Sequence, residues 1–399
     1  MSKRHTSIIL VCIIILVAAL SSCATPTPQI IEKTVETIVE KTVEVEVEKT
    51  VEVEVTKEVE KIVEVTPEPV EYWTPEEVIP NTGPEQCVPV ATLPKEMSED
   101  WVLSFINVLK SHPFHGVVYK GIEAAAEFYG VEVIDGDTAG AGGTAAIEMG
   151  NTLLLEKPDV IGIIGQGPAT RDPIAQAAYD AGTLFLSVDS GRSEWSPYVY
   201  GIGDARSGQA AGAIMVDGLN EKLAGDWEGK ELFFLEFTHS GIAICLDRTG
   251  SLRDVVVAEF GIDEEHILQA DAAAGVDQTA YLLDQLTAHP DAAFAFTGCW
   301  DGMAIAPYNA AKEAGRESDL MMVTMGGDQT PAEMLYCKPE GFYGYLEFQP
   351  FCEGWSWVET ALAILEGERF VPYQTRFVTT HDNIEERFVD LYGDPPACE

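Results

Sequence analysis

Five short stretches of this chain combine residue types that can grip a hydroxylated molecule: His112-Pro113-Phe114-His115, Gly165-Gln166, Asp189-Ser190, Trp300-Asp301 and Asp328-Gln329. Each follows an apolar run that reads as a β-strand, and in open α/β sheets ligands meet the loops beyond the carboxyl ends of strands. Aromatic faces cover the apolar C–H faces of a ring, while carboxylates and amides accept hydroxyl hydrogens. The mix therefore suits a neutral polyhydroxy ligand, with His112, Phe114, His115, Gln166, Asp189, Trp300, Asp301 and Asp328 as candidate contacts. An Asp at such a junction is also a good helix N-cap, so a capping role competes with ligand contact at each.

Other chemistries lack their residues. No GxSxG, HExxH, GxxxxGK[ST] or supported SxxK is present, so an enzyme is not expected. An anchored hydrolase using Asp189 or Asp328 as general base is the alternative from that class. Gly140-Ala141-Gly142-Gly143-Thr144 lacks both the GxGxxG spacing and a following lysine, and reads as a strand-to-helix loop rather than a phosphate cradle. His112 and His115 have metal-compatible spacing but no nearby cysteine or carboxylate to complete a site. Neither a metal nor a cofactor is expected.

The elements that must position these residues alternate between β-rich apolar runs and amphipathic stretches closed by glycine, the pattern of parallel strands covered by helices. Strands are predicted at 101–107, 131–135, 160–165, 183–188, 198–202, 232–236, 266–269, 292–297, 321–325, 342–348 and 376–379. Helices are predicted at 116–128, with Val117, Ile122, Ala125 and Phe128 on its apolar face, and at 204–223, with Ala210, Ile214 and Leu219. Eleven strands exceed one ordinary sheet, which favours two lobes.

Ahead of this body the sequence is of a different kind. Lys3-Arg4-His5, an apolar stretch from Ile8 to Leu20, and Leu20-Ser21-Ser22-Cys23 read as a lipoprotein export signal over residues 1–22, with Cys23 as the lipidated first residue after cleavage. Residues 33–64 repeat every eight positions as KTVETIVE, KTVEVEVE, KTVEVEVT and KEVEKIVE. Their charge and lack of aromatics leave too little apolar surface for a core, so residues 23–98 are read as an acidic tether followed by a proline-rich connector. A coiled-coil stalk is the competing reading of the repeat. From Cys23 to Pro67 the tether could reach roughly 150 Å at about 3.3 Å per residue.

With 66 acidic against 24 basic residues, the net charge of −42 disfavours nucleic acid and anionic membrane surfaces as partners. Apart from Cys12 and Cys23, six cysteines remain. In an exported chain they suggest disulfides, with 15 possible full pairings. Cys337 and Cys352 are expected to pair, because Pro339-Glu340-Gly341 would turn their flanking segments toward each other.

Over about residues 99–390 the chain resembles the ribose-binding-protein-like family, the type I periplasmic solute receptors of sugar ABC importers. The resemblance is carried by HPFHGVVYKGIEAAAEFYG from His112 to Gly130, PDVIGIIG, AAYDAGTLFLSVDS ending at Ser190, Gly203-Asp204 followed by Gly208 and Gly212, the stretch Phe294–Ala304, Met325-Gly326-Gly327-Asp328, and Thr380-His381-Asp382-Asn383-Ile384. It implies an α/β fold of two Rossmann-like lobes with parallel sheets, joined by a three-segment hinge around a ligand cleft. The lobes would be 99–203 plus about 349–374, and 204–348 plus about 375–399.

By residue, the resemblance puts Phe114 and His115 at ring-stacking positions and Asp189 and Asp328 at hydroxyl-binding positions. Trp300 stands where many members carry Asn, and Arg248 near an arginine that bridges ring and hydroxyl oxygens. His112 in place of Asn, Trp300 in place of Asn and Phe348 where Gln is common make the pocket more aromatic than the ribose pattern. The implied function is capture of a sugar by hinge closure, as a monomer, for delivery to an ABC permease from a lipid anchor outside the cytoplasm. A receptor feeding a chemotaxis or kinase pathway is the alternative.

Overall fold

The computed structural model describes residues 69–74, 77, 87–198, 200–201, 203–373 and 377–398. The export signal, Cys23 and the repeat lie outside these residues. Residues 67–399 form one compact unit.

Strands β1 (Val102–Asn107), β2 (Glu132–Asp137), β3 (Val160–Ile163) and β4 (Leu184–Phe185) make a parallel sheet in the order β2-β1-β3-β4. Helices α1 (Pro113–Tyr129), α2 (Gly143–Leu153) and α3 (Pro168–Ala181) connect them. The second sheet holds β5 (Leu232–Thr238), β6 (Ile267–Asp271), β7 (Ala293–Gly298), β8 (Leu320–Gly326), β9 (Phe342–Glu347) and β10 (Phe377–Thr380), in the order β10-β9-β8-β7-β5-β6. With it go α4 (Asp204–Leu223), α5 (Ala243–Phe260), α6 (Gln278–Ala288), α7 (Asp301–Glu313), α8 (Gln329–Tyr336) and α10 (Ile384–Tyr392), whereas α9 (Pro350–Glu366) packs on α1 of the first lobe. β1, β7 and β8 are buried almost throughout, as strands covered on both faces must be.

The chain passes between the lobes at Gly201–Gly203, at Phe348–Gln349 between β9 and α9, and between α9 and β10. β10 pairs antiparallel with β9, Phe377 opposite Glu347, so the second sheet is mixed rather than purely parallel. The reason is connectivity. The chain leaves by the end of β9 and, after α9, returns to that same end, so its last strand must run backwards.

Of the predicted strand at 198–202, the described residues Tyr198, Tyr200 and Gly201 are not in a strand. The Tyr198 N–H donates to Ser196 Oγ (3.2 Å) rather than to a neighbouring strand, and the buried Tyr200 side chain is held by its hydroxyl donating to the Glu353 carbonyl. In α1 the buried apolar face is Val118, Ile122, Ala125 and Ala126, with Val117 and Phe128 at its margins. In α4 it is Ala211, Ile214, Met215 and Leu219.

The connector differs from its reading in one respect. It is irregular, yet Cys87, Val90 and Leu93 are buried in the core of the first lobe. The Val90 N–H donates to Glu359 Oε2 (2.8 Å), Val371 N–H donates to Val90 O (2.8 Å), and Trp73 packs on Phe128. The packed body thus begins before Glu99.

The disulfides are Cys87–Cys352, Cys245–Cys299 and Cys337–Cys398. The expected pair Cys337–Cys352 is incorrect. Cys337 ends α8 at the C-terminal tail, whereas Cys352 lies beyond the second crossing, on α9 in the other lobe, so the turn at Pro339–Gly341 does not join them.

Candidate functional site in the interlobe cleft

Each sheet has one point where connections depart in opposite directions, between β1 and β3 in the first lobe and between β5 and β7 in the second. Loops part there and leave a crevice, the standard ligand position of open α/β sheets. The four loops concerned carry His112–His115, Gly165–Gly167, Gly241–Ile244 and Cys299–Asp301. They face one another across a cavity of about 540 Å³. Gly167 of one lobe and Gly241 of the other meet so closely that a Cβ on Gly167 would collide with the Gly241 carbonyl.

Local sequence explains how each side chain arrives. Pro113 starts α1 and His112 caps it, its Nδ1 accepting from the Phe114 N–H (3.2 Å) and so fixing the ring proton on Nε2. One turn on, the His115 ring lies 4.6 Å from that of His112. Burial, and then the neighbouring imidazole, depress the His115 pKa to about 4, and burial lowers that of His112, so both rings are neutral at pH 7. Phe114 meets Phe348 edge to face at 6.4 Å.

Asp189 sits after β4 with φ 45°, a left-handed conformation tolerated better by Asp than by most residues. Its Oδ2 accepts from Arg248 Nη2 (2.9 Å), and Arg248 Nε donates to Asp204 Oδ1 (2.7 Å). Arg248 also lies over the Phe348 ring, 4.7 Å from its centroid. The pair bridges the lobes, because Asp189 belongs to the first and Arg248, on α5, to the second. Burial opposes the Arg248 charge, but Asp204 and Asp189 outweigh it and hold its pKa above the ordinary value.

Behind this pair is Glu353, fully buried, its pKa driven far up by burial and then by Asp189. Neither its carboxyl oxygens nor Asp189 Oδ1 has another partner. A protonated Glu353 donating to Asp189 satisfies both groups and removes one negative charge from the cluster around Arg248.

Across the cavity Asp301 opens α7 and is buried at 3 % exposure. Its Oδ2 accepts from the Gly327 N–H (2.8 Å). Burial and then Asp328 raise its pKa to about 7, with the Thr324 hydroxyl and the Gly327 N–H opposing. Gly326, at φ 143°, has no room for a side chain because a Cβ would strike Asp301.

The cavity therefore unites eight of the nine candidates: His112, Phe114, His115, Asp189, Arg248, Trp300, Asp301 and Asp328. Asp328 lines the cavity and also caps α8, its Oδ1 accepting from the Thr330 N–H (2.8 Å). Gln166 does not line it. Its Nε2 donates to the Gly165 carbonyl (3.0 Å), turning the amide back onto its own loop.

Sequence reading missed Ile164, Ile242, Ile244, Ile305 and the Cys245–Cys299 disulfide in the wall, together with the support from Asp204 and Glu353. Asp204 had a signal, the Gly203-Asp204 motif; the isoleucines had none. A neighbouring cavity of about 480 Å³ shares His112, Pro113 and Asp328. No partnerless buried side-chain polar atom among the described residues belongs to its lining, whereas Asp189 Oδ1, Asp301 Oδ1 and His115 Nδ1 all belong to residues of the first. The described residues contain no cluster able to hold a metal ion and no helix long and apolar enough to cross a membrane.

Two sheets with facing switch points, three crossings and a ligand-sized cavity between them define a bilobed solute-binding fold. The family described as periplasmic binding protein domain matches residues 103–369, and the chain belongs to it. Among solved structures, an ABC sugar transporter subunit from Rhodobacter sphaeroides is 21% identical with a TM-score of 0.59, the match covering 71% of this chain and 99% of that one. An ABC transporter solute-binding protein from Agrobacterium vitis bound with alpha-D-tagatopyranose is 18% identical, TM-score 0.59, covering 71% and 96%. A 5-methylthioribose transporter solute-binding protein from Thermotoga lettingae, in complex with 5-methylthioribose, is 17% identical, TM-score 0.59, covering 75% and 92%. A search of curated proteins found no match.

Proposed function

We propose that this chain is an extracytoplasmic solute-binding lipoprotein of an ABC importer, held to the membrane through Cys23, that captures a sugar-like molecule in the interlobe cleft and releases it to a permease. The observation that carries the reading is the cavity of about 540 Å³ walled by both lobes, with the Arg248–Asp189 pair spanning them. A ligand touching both walls binds the closed form better than any open one and so shifts the population toward closure. Carboxylates at Asp189, Asp301 and Asp328 accept hydroxyl hydrogens, Arg248 donates, and Phe114 and Trp300 offer ring faces.

The relatives named above with tagatopyranose and 5-methylthioribose support a small hydroxylated guest. Binding without turnover fits the site better than hydrolysis does. Arg248 ion-pairs with Asp189, one Asp328 oxygen caps a helix, and Asp301 is partly protonated near neutral pH, roles that suit hydrogen bonding to a guest better than general-base catalysis.

The test is a thermal-shift screen of the purified chain against pentoses, hexoses, cyclitols and nucleosides, followed by calorimetry. At 100 times Kd a ligand adds about 2.7 kcal/mol of stability, a shift of several degrees. Asp189→Ala and Trp300→Ala should respond less than the parent. The reading fails if no compound shifts the melt or if both variants respond as the parent does.

A further inference from the structure

The cleft is walled by two kinds of group. His112, Asp301 and Asp328 are close enough for Asp328 to act electrostatically on both of the others. The Gly241–Ile244 loop meets the opposite lobe at Gly167 and, through Ile244, faces Gly191 beside Asp189.

Ile242 and Ile244 lead directly into Cys245, and the disulfide to Cys299 joins that stretch to Trp300 and the start of α7, from which Ile305 projects. The bond spans the β5/β7 switch point, so this wall is a covalently fixed strip of isoleucine, sulfur and indole. Ile164 closes over it from the other sheet.

An unsubstituted sugar carries hydroxyls all round its ring. Each one pressed against such a wall without a partner would cost about 1–3 kcal/mol. An alkyl, alkylthio or aryl group there would instead gain about 0.8 kcal/mol per buried methylene, and disulfide sulfur is a polarizable neighbour for a thioether or an aromatic ring. The volume leaves room for it, since pockets of about 300–1,000 Å³ take drug-sized ligands.

We infer that the guest is a hydroxylated ring bearing an apolar substituent, with the ring held among Asp189, Arg248, Asp301 and His112 and the substituent lodged on Ile242, Ile244, Ile305 and the Cys245–Cys299 disulfide. This rests on the solute-receptor reading above and adds to it the substrate class and the part of the cleft that selects it.

The experiment is calorimetric titration of the purified full chain with ribose, 5-methylthioribose and phenyl riboside, and with glucose and phenyl glucoside. For at least one pair the substituted compound should bind about 10–200-fold more tightly than its parent, the range one apolar group earns in a hydrophobic pocket. Ile244→Thr and Ile305→Thr, each placing a hydroxyl in the wall, should bring that ratio down toward one, with a melt confirming that each variant folds. Ile305→Val, which removes a methylene and adds no polar atom, keeps the test open if both threonine variants fail to fold, and should lower the ratio by a smaller factor. Parents binding as tightly as their substituted counterparts would overturn the inference and leave the receptor reading intact. A preference that survives the wall variants unchanged would also overturn it. If neither parents nor substituted compounds bind, the receptor reading itself falls.

Discussion

Asp301 is a carboxyl placed where its charge is costly. Its pKa of about 7 stands above the ordinary 3.8, so between those values the folded chain holds a proton that the unfolded chain has lost. By linkage, stability from this group is fully present below pH 4, falls as pH rises to about 7, and is level beyond. Asp301→Asn keeps the acceptor for Gly327 but removes the titration. The variant should therefore gain stability relative to the parent as pH rises from 4 to 7, by a few kcal/mol at roughly 1.4 per pKa unit. Melting curves of the pair across pH check this, and a constant difference would refute it. Glu353 offers a second test. If it is a neutral donor to Asp189, Glu353→Gln preserves the hydrogen bond and melts within about 1 kcal/mol of the parent, whereas Glu353→Ala strands Asp189 Oδ1 and costs about 1–3 kcal/mol plus a cavity. Arg248→Met should cost about 3–5 kcal/mol at pH 7, and less at pH 5, because burial raises the Asp204 carboxyl above its ordinary pKa and lets it take up a proton.

Among the elements, α9 connects most parts of the molecule. It follows the second crossing directly, packs on α1, is bonded to the connector by Cys87–Cys352, and buries Glu359, which accepts from Val90 N–H, Trp355 Nε1 (2.9 Å) and the Tyr129 hydroxyl (2.8 Å). The segment expected to end a tether therefore clasps the helix that follows the second crossing. A chain beginning at Glu99 should melt well below one beginning at Pro67. It loses a disulfide closing 265 residues of sequence, worth about 2–5 kcal/mol, and the buried side chains of Val90 and Leu93, worth about 1.5–3 kcal/mol each. Equal melting of the two would show that the connector is not part of the cooperative unit.

At the scale of the whole molecule, the net charge of −42 acts at a distance on a charged guest but not on the neutral one proposed above. Charged ligands are steered and screened by salt, whereas an uncharged one is not. Affinity for a neutral ring should change less than about twofold between roughly 0.05 and 0.5 M salt, a range over which the Debye length falls severalfold. A steep salt dependence measured by calorimetry would point to an anionic or cationic guest instead.

The strand-end positions of Asp189, Trp300 and Asp328 were legible because a doubly wound sheet confines binding residues to one edge, and an apolar run followed by Asp or Trp marks that edge in one dimension. The eight-residue repeat is likewise a property of consecutive residues, readable without a fold. Periodicity also placed most strands, failing at 198–202, where Tyr198 has strand-like composition but its backbone N–H donates to the Ser196 hydroxyl. Tertiary structure alone decided what depends on which elements meet: that Cys352 pairs with Cys87 across 265 residues and not with Cys337, that Gln166 turns away from the cleft, and that four isoleucines from three separate segments share one wall. Nothing local distinguishes an isoleucine facing a core from one facing a ligand, because both are apolar side chains leaving water, and only the packing of two lobes determines what fills the space beside them.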